Sequence, residues 1–596
     1  MSKTARPPRQ IDALLHEAVA LQQNGAYAEA EALYRDILAQ RPKHFDAMQL
    51  LGALLLQSGR LDEGIALLKK AVSINGMQAP LHSNLAYAYN AQRRFSEGLA
   101  SANRALALQP DFVDALNNRG NALAGLDRPA DALASFERAL ALQPGFAQAW
   151  NNRACVLRDL ARPADALASC DQAIALQPAY ADAWSNRANA LSDLNRPDDA
   201  QSSYLRALEL SPAFADAWNN LGLTLVDLNR HDEALQSYER ALAINPNFAE
   251  AHWNRALCLL QMGRFDEGWR EYEWRWQRHR IQASQRRFDA PLWLGQFPLE
   301  GKTILLHAEQ GLGDTLQFCR YASLAAAAGA KVIFEVPAEL KRLLAGLEGV
   351  AQWVDEGRPE DRALPPFDCH APLLSLPLAF GTHLASIPAV GPYLHADRQA
   401  AQQWAERLAS RNADRNAAPH ANHSADHTSP LKVGLVWAGG HRAHVAELRK
   451  TDARRSIALE QLRPLLDVPG VQFYSLQKGP PAQQLTDAPE FAARIVDYTN
   501  ELADFADTAA LVDNLDLVIT VDTAVAHLAG AMGKPVWIMN RFDTCWRWLL
   551  ERSDSPWYAS ARLFRQPALG DWQSVIEAVR AALAERASNN GRGHAA

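Results

Sequence analysis

The sequence predicts an α-solenoid followed by an α/β region of two Rossmann-like lobes. Three observations carry this. Pro42, Gly76, Pro110, Pro144, Pro178, Pro212 and Pro246 recur at one constant spacing. That period vanishes after the aromatic and basic segment "WREYEWRWQRHRIQ". Beyond it, apolar runs of strand length alternate with helical patterns, as in parallel βαβ units.

Each repeating unit reads as two helices. In "AWNNRACVLRDLARPADALASCDQAIALQP", Trp150, Ala154 and Leu157 share one face of a first helix, and Ala166, Cys170 and Ala173 one face of a second. Small residues let the paired helices approach, large ones fill the gap between them, and proline ends the second helix. Paired helices with a period of about 34 residues make the tetratricopeptide pattern. It runs for about eight units over residues 11–280, for which a right-handed superhelix with a concave groove is expected. Trp269 to Arg280 reads as the cap that joins the solenoid to the second half.

A second period lies inside the first. Asn84, Asn118, Asn152, Asn186, Asn220 and Asn254 keep the same spacing as the prolines. Asparagine is a mediocre helix former, so propensity does not explain the register. One reading is a ladder of amides that holds the backbone of a peptide without reading its sequence; the other is that these amides satisfy helix ends or neighbouring repeats. The ladder resembles that of the eukaryotic O-linked N-acetylglucosamine transferase, which makes Asn118, Asn152, Asn186, Asn220 and Asn254 the candidate peptide ligands.

In the second half, "TILLHA" reads as a strand, Asp314 to Ala328 as a helix and "KVIFEV" as the next strand, giving a first lobe over residues 290–395. Residues 396–430 read as a linker with a helical start, and His420, His423 and His427 as part of its solvated tract rather than as metal ligands, because no strand or helix fixes their spacing. A second lobe spans residues 431–585. "KVGLVWAGG" gives a strand and glycine turn, "SIALEQLRPLL" a helix with Ser456 as its N-cap, and "VQFYSLQKG", "RIVDYT", "DLVITV" and "KPVWIM" further strands. "DFADTAALVDNL" and "DTAVAHLAGAMG" read as helices. Ligands are expected at the C-terminal ends of the strands, in the cleft between the lobes.

Bulk properties narrow the function. Lys plus Arg number 60 against 67 Asp plus Glu, a net charge of -7, which disfavours a nucleic-acid partner. No run of about 18 apolar residues indicates an integral membrane segment. The N-terminal "MSKTARPPRQ" lacks the apolar core of a secretory signal, and the 6 cysteines show no CxxC pair. Reduced thiols and a cytoplasmic location are the expectation.

The loop "AEQGLGDTLQF" fails both common phosphate motifs, since Leu316 stands where a dinucleotide fingerprint needs a small residue and no Gly-Lys-Ser/Thr follows. What remains is a tight turn presenting Asp314 at a strand mouth, or a helix-capping aspartate. "TVDTAVAHLAGAMGKP" is the better anion site. Asp522 and Thr523 stand where a strand meets a helix whose free N–H groups favour a diphosphate. His527 follows in the first turns; alone it reads more readily as a core histidine. Lys478 in "SLQKG" ends another strand and can neutralise phosphate, and Gly439 in "WAGGHR" lets the backbone approach a ligand. No D-x-D occurs in the second half, so no bound metal is called for.

These motifs, with "RRSIALEQL" and the tail "WRWLLERSDSPWYASARLFRQPALGDW", resemble the heptosyltransferase-like (family 9-like) glycosyltransferases, in particular bacterial proteins that fuse such a domain behind tetratricopeptide repeats. The resemblance implies a GT-B fold, a nucleotide-sugar donor as co-substrate, no cofactor or catalytic metal, and inverting transfer. By that resemblance Asp314 matches the aspartate proposed as base, and Asp522, Thr523 and His527 match the donor motif D-T-x-x-x-H. Ala524 departs from it, where glycine is usual. The acceptor is expected to be a protein recruited by the repeats. Two alternatives stay open: a non-catalytic scaffold that only holds a nucleotide, and a transferase for a lipid-linked glycan.

Overall fold

The structure is a computed structural model that describes residues 11–278, 286–357, 364–388, 391–416, 429–440 and 446–592. The chain divides into two compact units, one ending at Ala217 and the other beginning at Trp218.

The first unit is built of helical hairpins, from Ile11–Gln23 paired with Tyr27–Gln40 to Ala181–Asp193 paired with Pro197–Leu210. Its core follows the small-against-large pattern. Ala154, Ala166, Cys170, Ala173 and Ala188 are fully buried, and a Cβ on Gly120 would lie 2.5 Å from the Phe136 ring. Trp150 and Trp184 do more than fill space: their indole N–H groups donate to the carbonyls of Pro144 and Pro178 at 2.9 and 3.0 Å, which ties each first helix to the loop before it. His82 makes the same contact with the Gly76 carbonyl at 2.9 Å.

The turn within each hairpin has a register of its own. Gly25, Gly59, Arg93, Asp127, Ala161, Asn195, Asn229 and Gly263 all have positive φ, between 57° and 79°. Glycine occupies this left-handed position freely, and Asn or Asp tolerates it. Alanine does not: it has no side chain to bond locally and bears a steric cost of about 1–2 kcal/mol. Ala161→Gly is therefore expected to stabilise the first unit by roughly 0.5 kcal/mol after the added chain entropy of glycine, read as a higher denaturation midpoint.

The second unit begins with two more hairpins, Ala215–Asp227 with His231–Ile244 and Ala249–Gln261 with Phe265–Tyr272. It then forms two wholly parallel sheets. The first contains β1 (Thr303–His307), β2 (Lys331–Val336), β3 (Val350–Asp355) and β4 (Cys369–Pro372) in the order β3-β2-β1-β4. The second contains β5 (Leu431–Val436), β6 (Val471–Ser475), β7 (Ile495–Asp497), β8 (Leu517–Val521), β9 (Val536–Asn540) and β10 (Ala561–Arg565) in the order β10-β9-β8-β5-β6-β7. The strand order reverses beside β1 in one sheet and between β5 and β8 in the other, and such switch points leave a crevice at the carboxyl ends of the strands.

Several expected elements shift. The helix expected from Asp314 to Ala328 is two, Leu312–Phe318 and Tyr321–Ala327. The stretch 396–430 starts helical as expected, with the helix Arg398–Asn416, whose Leu408 is buried and whose Trp404 packs on Tyr498 at 5.2 Å. His420, His423 and His427 lie outside the described residues, as do residues 279–280 of the expected cap. The described part of the cap is aromatic core: Trp269 donates to the Thr382 carbonyl at 3.1 Å, and Trp274 stacks on His252 at 3.8 Å.

Candidate functional site

At the switch point of the second sheet, the glycine turn after β5 is fixed by side chains from elsewhere. Gln477, buried just past the end of β6, accepts from the Trp437 and Ala438 N–H groups at 3.0 and 2.8 Å. Gly439 donates to Ser456 Oγ at 3.2 Å. Ser456 is thus not the expected N-cap. Its hydroxyl serves Gly439, and the next helical turn starts only at Leu459. A Cβ on Gly439 would overlap Arg455 Nε, so glycine is what lets this guanidinium lie against the turn. Arg455 is held by Asp452 at 2.7 Å and donates to the Asp522 carbonyl at 3.3 Å. Its Nε is buried without a hydrogen-bond partner among the described residues. It comes from the helix Ala446–Arg455, which the sequence reading missed.

The helix after β8 is Ala524–Ala531, with extended Thr523 as its N-cap. The Thr523 hydroxyl pairs with Thr520 Oγ1 at 2.9 Å and makes no capping bond, which leaves the first-turn N–H groups without a side-chain acceptor from the cap. A cavity of about 370 Å³ opens beside this end; its lining includes Ala438, Gly440, Lys478 and Thr523 through Val525, together with the carboxylates of Glu339 and Asp504. Lys478 is exposed there and donates to the Leu502 carbonyl. The structure therefore brings together Lys478, Thr523 and the turn holding Gly439, with half-buried Asp522 joined to them through Arg455.

His527 belongs to the core. It is 5% exposed, shares a 2.9 Å hydrogen bond with the Tyr558 hydroxyl and stacks on Trp548 at 5.4 Å. Burial, with Arg547 nearby, pushes its pKa down to about 3. His307 and His370, whose ring nitrogens meet at 3.2 Å, are lowered by burial to about 3 and 4. Such groups stay neutral when folded but take up a proton below about 6.5 when unfolded. The unfolded chain then binds more protons, and stability falls as pH drops from about 6.5 toward 3. His527→Gln is expected to flatten the dependence of the second unit's melting temperature on pH between about 6 and 4.

The loop after β1 meets this same helix. A Cβ on Gly313 would lie 2.9 Å from His527 Cδ2 and 3.4 Å from Ala524 Cα, so only glycine permits the approach. Asp314 Oδ2 accepts from the Gly311 N–H at 2.9 Å, which makes it a cap. Its other oxygen is paired with Arg547, a residue the sequence reading did not single out. Arg547 also donates to Gln317 Oε1 at 2.7 Å and lies over the Trp546 ring at 4.2 Å. Burial opposes its charge, yet Asp314 holds its pKa above the usual arginine range. The loop is anchored from below: Arg275 pairs with Glu309 at 2.8 Å, and Gln310 donates to the Tyr272 hydroxyl at 3.2 Å.

Four of the ladder asparagines, Asn118, Asn152, Asn186 and Asn254, donate to the preceding repeat. In the first unit Asn118 Nδ2 donates to Ser83, Asn152 to Asn117 Oδ1 at 3.0 Å and Asn186 to Asn151 Oδ1 at 2.8 Å. In the second unit Asn254 donates to Asn219 Oδ1 at 2.9 Å, and Asn220 Oδ1 accepts from Asn219 at 3.1 Å. Among the described residues no three His, Cys, Asp or Glu side chains are grouped as metal ligands, and no helix is long and apolar enough to cross a membrane.

Tetratricopeptide-repeat family models match residues 21–86, 113–146, 147–180, 185–249 and 221–273. The model for glycosyltransferase family 9 (heptosyltransferase) matches residues 488–537, which include Asp522, Thr523 and His527. Protein FlbA of Caulobacter vibrioides is 31% identical over 161 residues, 26% of this chain and 26% of that protein; the match thus spans about a quarter of the relative's length. A tetratricopeptide repeat protein from Parabacteroides merdae is 16% identical over 42% of this chain and 98% of its own, with a TM-score of 0.36. YrrB, described as a tetratricopeptide repeat protein with an unusual peptide-binding site, is 25% identical over 31% of this chain and 95% of its own, with a TM-score of 0.26. The chain thus resembles a tetratricopeptide-repeat protein fused to a family 9-like glycosyltransferase domain.

Proposed function

We propose that this chain is an inverting, metal-independent glycosyltransferase of GT-B architecture, which transfers a sugar from a nucleotide-sugar donor to a protein recruited by its repeats. The observation that carries the reading is the cavity at the switch point of the second sheet, where the uncapped end of Ala524–Ala531 and the Lys478 ammonium border the same space. A helix N-terminus and a lysine favour a diphosphate and stabilise it as it leaves. Asp314 is the proposed base, held in orientation by Arg547 and the Gly311 N–H. In the repeats, a side-chain amide oxygen has two lone pairs, and the ladder Oδ1 atoms are the proposed acceptors for peptide N–H groups. The test is a thermal-shift screen of UDP-, GDP-, ADP- and dTDP-sugars, followed by donor hydrolysis with any ligand that stabilises the protein. Stabilisation by one nucleotide class is expected; none by any would overturn the reading.

One observation favours a non-catalytic scaffold instead: both oxygens of Asp314 are already engaged. Under that reading a nucleotide stabilises the protein but its sugar is neither transferred nor hydrolysed.

A further inference from the structure

Successive first helices of the repeats place an acidic residue at their last position: Asp159, Asp193 and Asp227. A carboxylate at a helix C-terminus opposes the helix dipole and needs a cation. Asp193 finds one inside the array, Arg158 of the preceding repeat at 2.7 Å. The corresponding residue for Asp227 is Ser192, which carries no charge.

Asp227 finds its cations in the α/β region. Lys450 lies 2.5 Å and Arg454 2.7 Å from its carboxylate, and only 14% of the Asp227 side chain is exposed. Arg454 also pairs with Asp543 at 2.9 Å, in the segment after β9. Burial works against the Asp227 charge, but the two cations hold its pKa below the usual range. The very next residue, Arg455, lies against Gly439 and donates to the Asp522 carbonyl. One helix end therefore grips a repeat with one arginine and the donor turns with the other. Two further anchors lie nearby: Asn229, in the turn of the same hairpin, donates to the Phe542 carbonyl at 3.3 Å, and Gln261, one repeat on from Asp227, donates to the Thr544 carbonyl at 2.6 Å.

We propose that Asp227 is a positioning residue of the transferase: through Lys450 and Arg454 it sets the helix whose Arg455 fixes the Gly439 and Asp522 backbone. The hairpins from Trp218 onward then also belong to the sugar-transferring machinery. The catalytic half of this inference rests on the glycosyltransferase reading; the positioning half does not.

The test compares Asp227→Ala, Asp227→Glu and Asp193→Ala in the full chain. Amide hydrogen exchange without ligand reads the positioning directly. Exchange at Gly439, Ile457 and Ala526 is expected to be at least tenfold faster in Asp227→Ala, largely restored in Asp227→Glu and unchanged in Asp193→Ala. Donor hydrolysis is expected to show a KM raised about tenfold in Asp227→Ala alone. Unaltered exchange at those amides, or equal acceleration in Asp193→Ala, would overturn the proposal. A wild-type protein that binds no nucleotide-sugar would remove the glycosyltransferase reading and the catalytic half with it, while the exchange comparison still decides the positioning role.

Discussion

Asp314→Asn is expected to reduce sugar transfer by about 10²–10⁴-fold, the usual worth of a positioned general base, while leaving the nucleotide-induced thermal shift in place. The substitution keeps the shape of the side chain and one oxygen for either Arg547 or the Gly311 N–H. It removes the charge that neutralises a buried guanidinium, so the melting temperature has to be followed alongside turnover. Arg547 is 9% exposed, and its loss of a carboxylate partner destabilises the fold without touching the nucleotide cavity. Loss of transfer in a protein that still melts cooperatively and still binds nucleotide supports Asp314 as the base. Wild-type turnover would leave Asp314 as a helix cap and nothing more.

The largest stability effect is expected at Arg275. This arginine is fully buried, bonded to Glu309, Glu273, the Tyr272 carbonyl and Ser375 Oγ, and lies 4.4 Å over the Trp276 ring. Removing one partner of a buried pair leaves the other charge without compensation, which typically costs about 3–5 kcal/mol. Arg275→Ala should lower the stability of the second unit by that amount and leave the unfolding of the first unit unchanged. Burial already pushes the Glu309 pKa up, against the pull of Arg275, so the double variant Arg275→Met with Glu309→Gln should recover much of the loss. Chemical denaturation measures both. An Arg275→Ala protein as stable as wild type would mean that water or a rearranged loop replaces the pair.

The repeats were legible because their information is local and periodic: Ala154 and Ala188, or Ala166 and Ala200, hold the same packing role one repeat apart. Most strands were legible because buried parallel strands read as apolar runs, as in Leu517–Val521, whereas Val350–Asp355, Cys369–Pro372 and Ala561–Arg565 were not read. The helix Ala446–Arg455 was not, because "AELRKTDARR" has almost no apolar face to give it a period. Arg455 and Arg547 were missed for a different reason. Their partners lie far away in the chain, 67 residues off at Asp522 and 233 at Asp314, and no spacing rule reports such a pair. The donor motif shows the limit at a single residue. Nothing local separates a ligand-facing His527 from a core one; only Tyr558 and Trp548, brought in by the fold, make it a buried neutral ring. Likewise the six asparagines announced a ladder but not where their donors went.

The change of partner between Asp193 and Asp227 bears on how such a chain can vary in length. Ahead of Ala217, hairpins meet through contacts that return one repeat on, as Asn152 with Asn117 and Asn186 with Asn151 do, so whole hairpins could be inserted or deleted there with the register preserved. From Trp218 on, Asp227, Asn229 and Gln261 hold contacts that belong to one position only. A shortened or lengthened descendant of this protein should therefore differ in the number of hairpins before residue 217 and keep the last two intact.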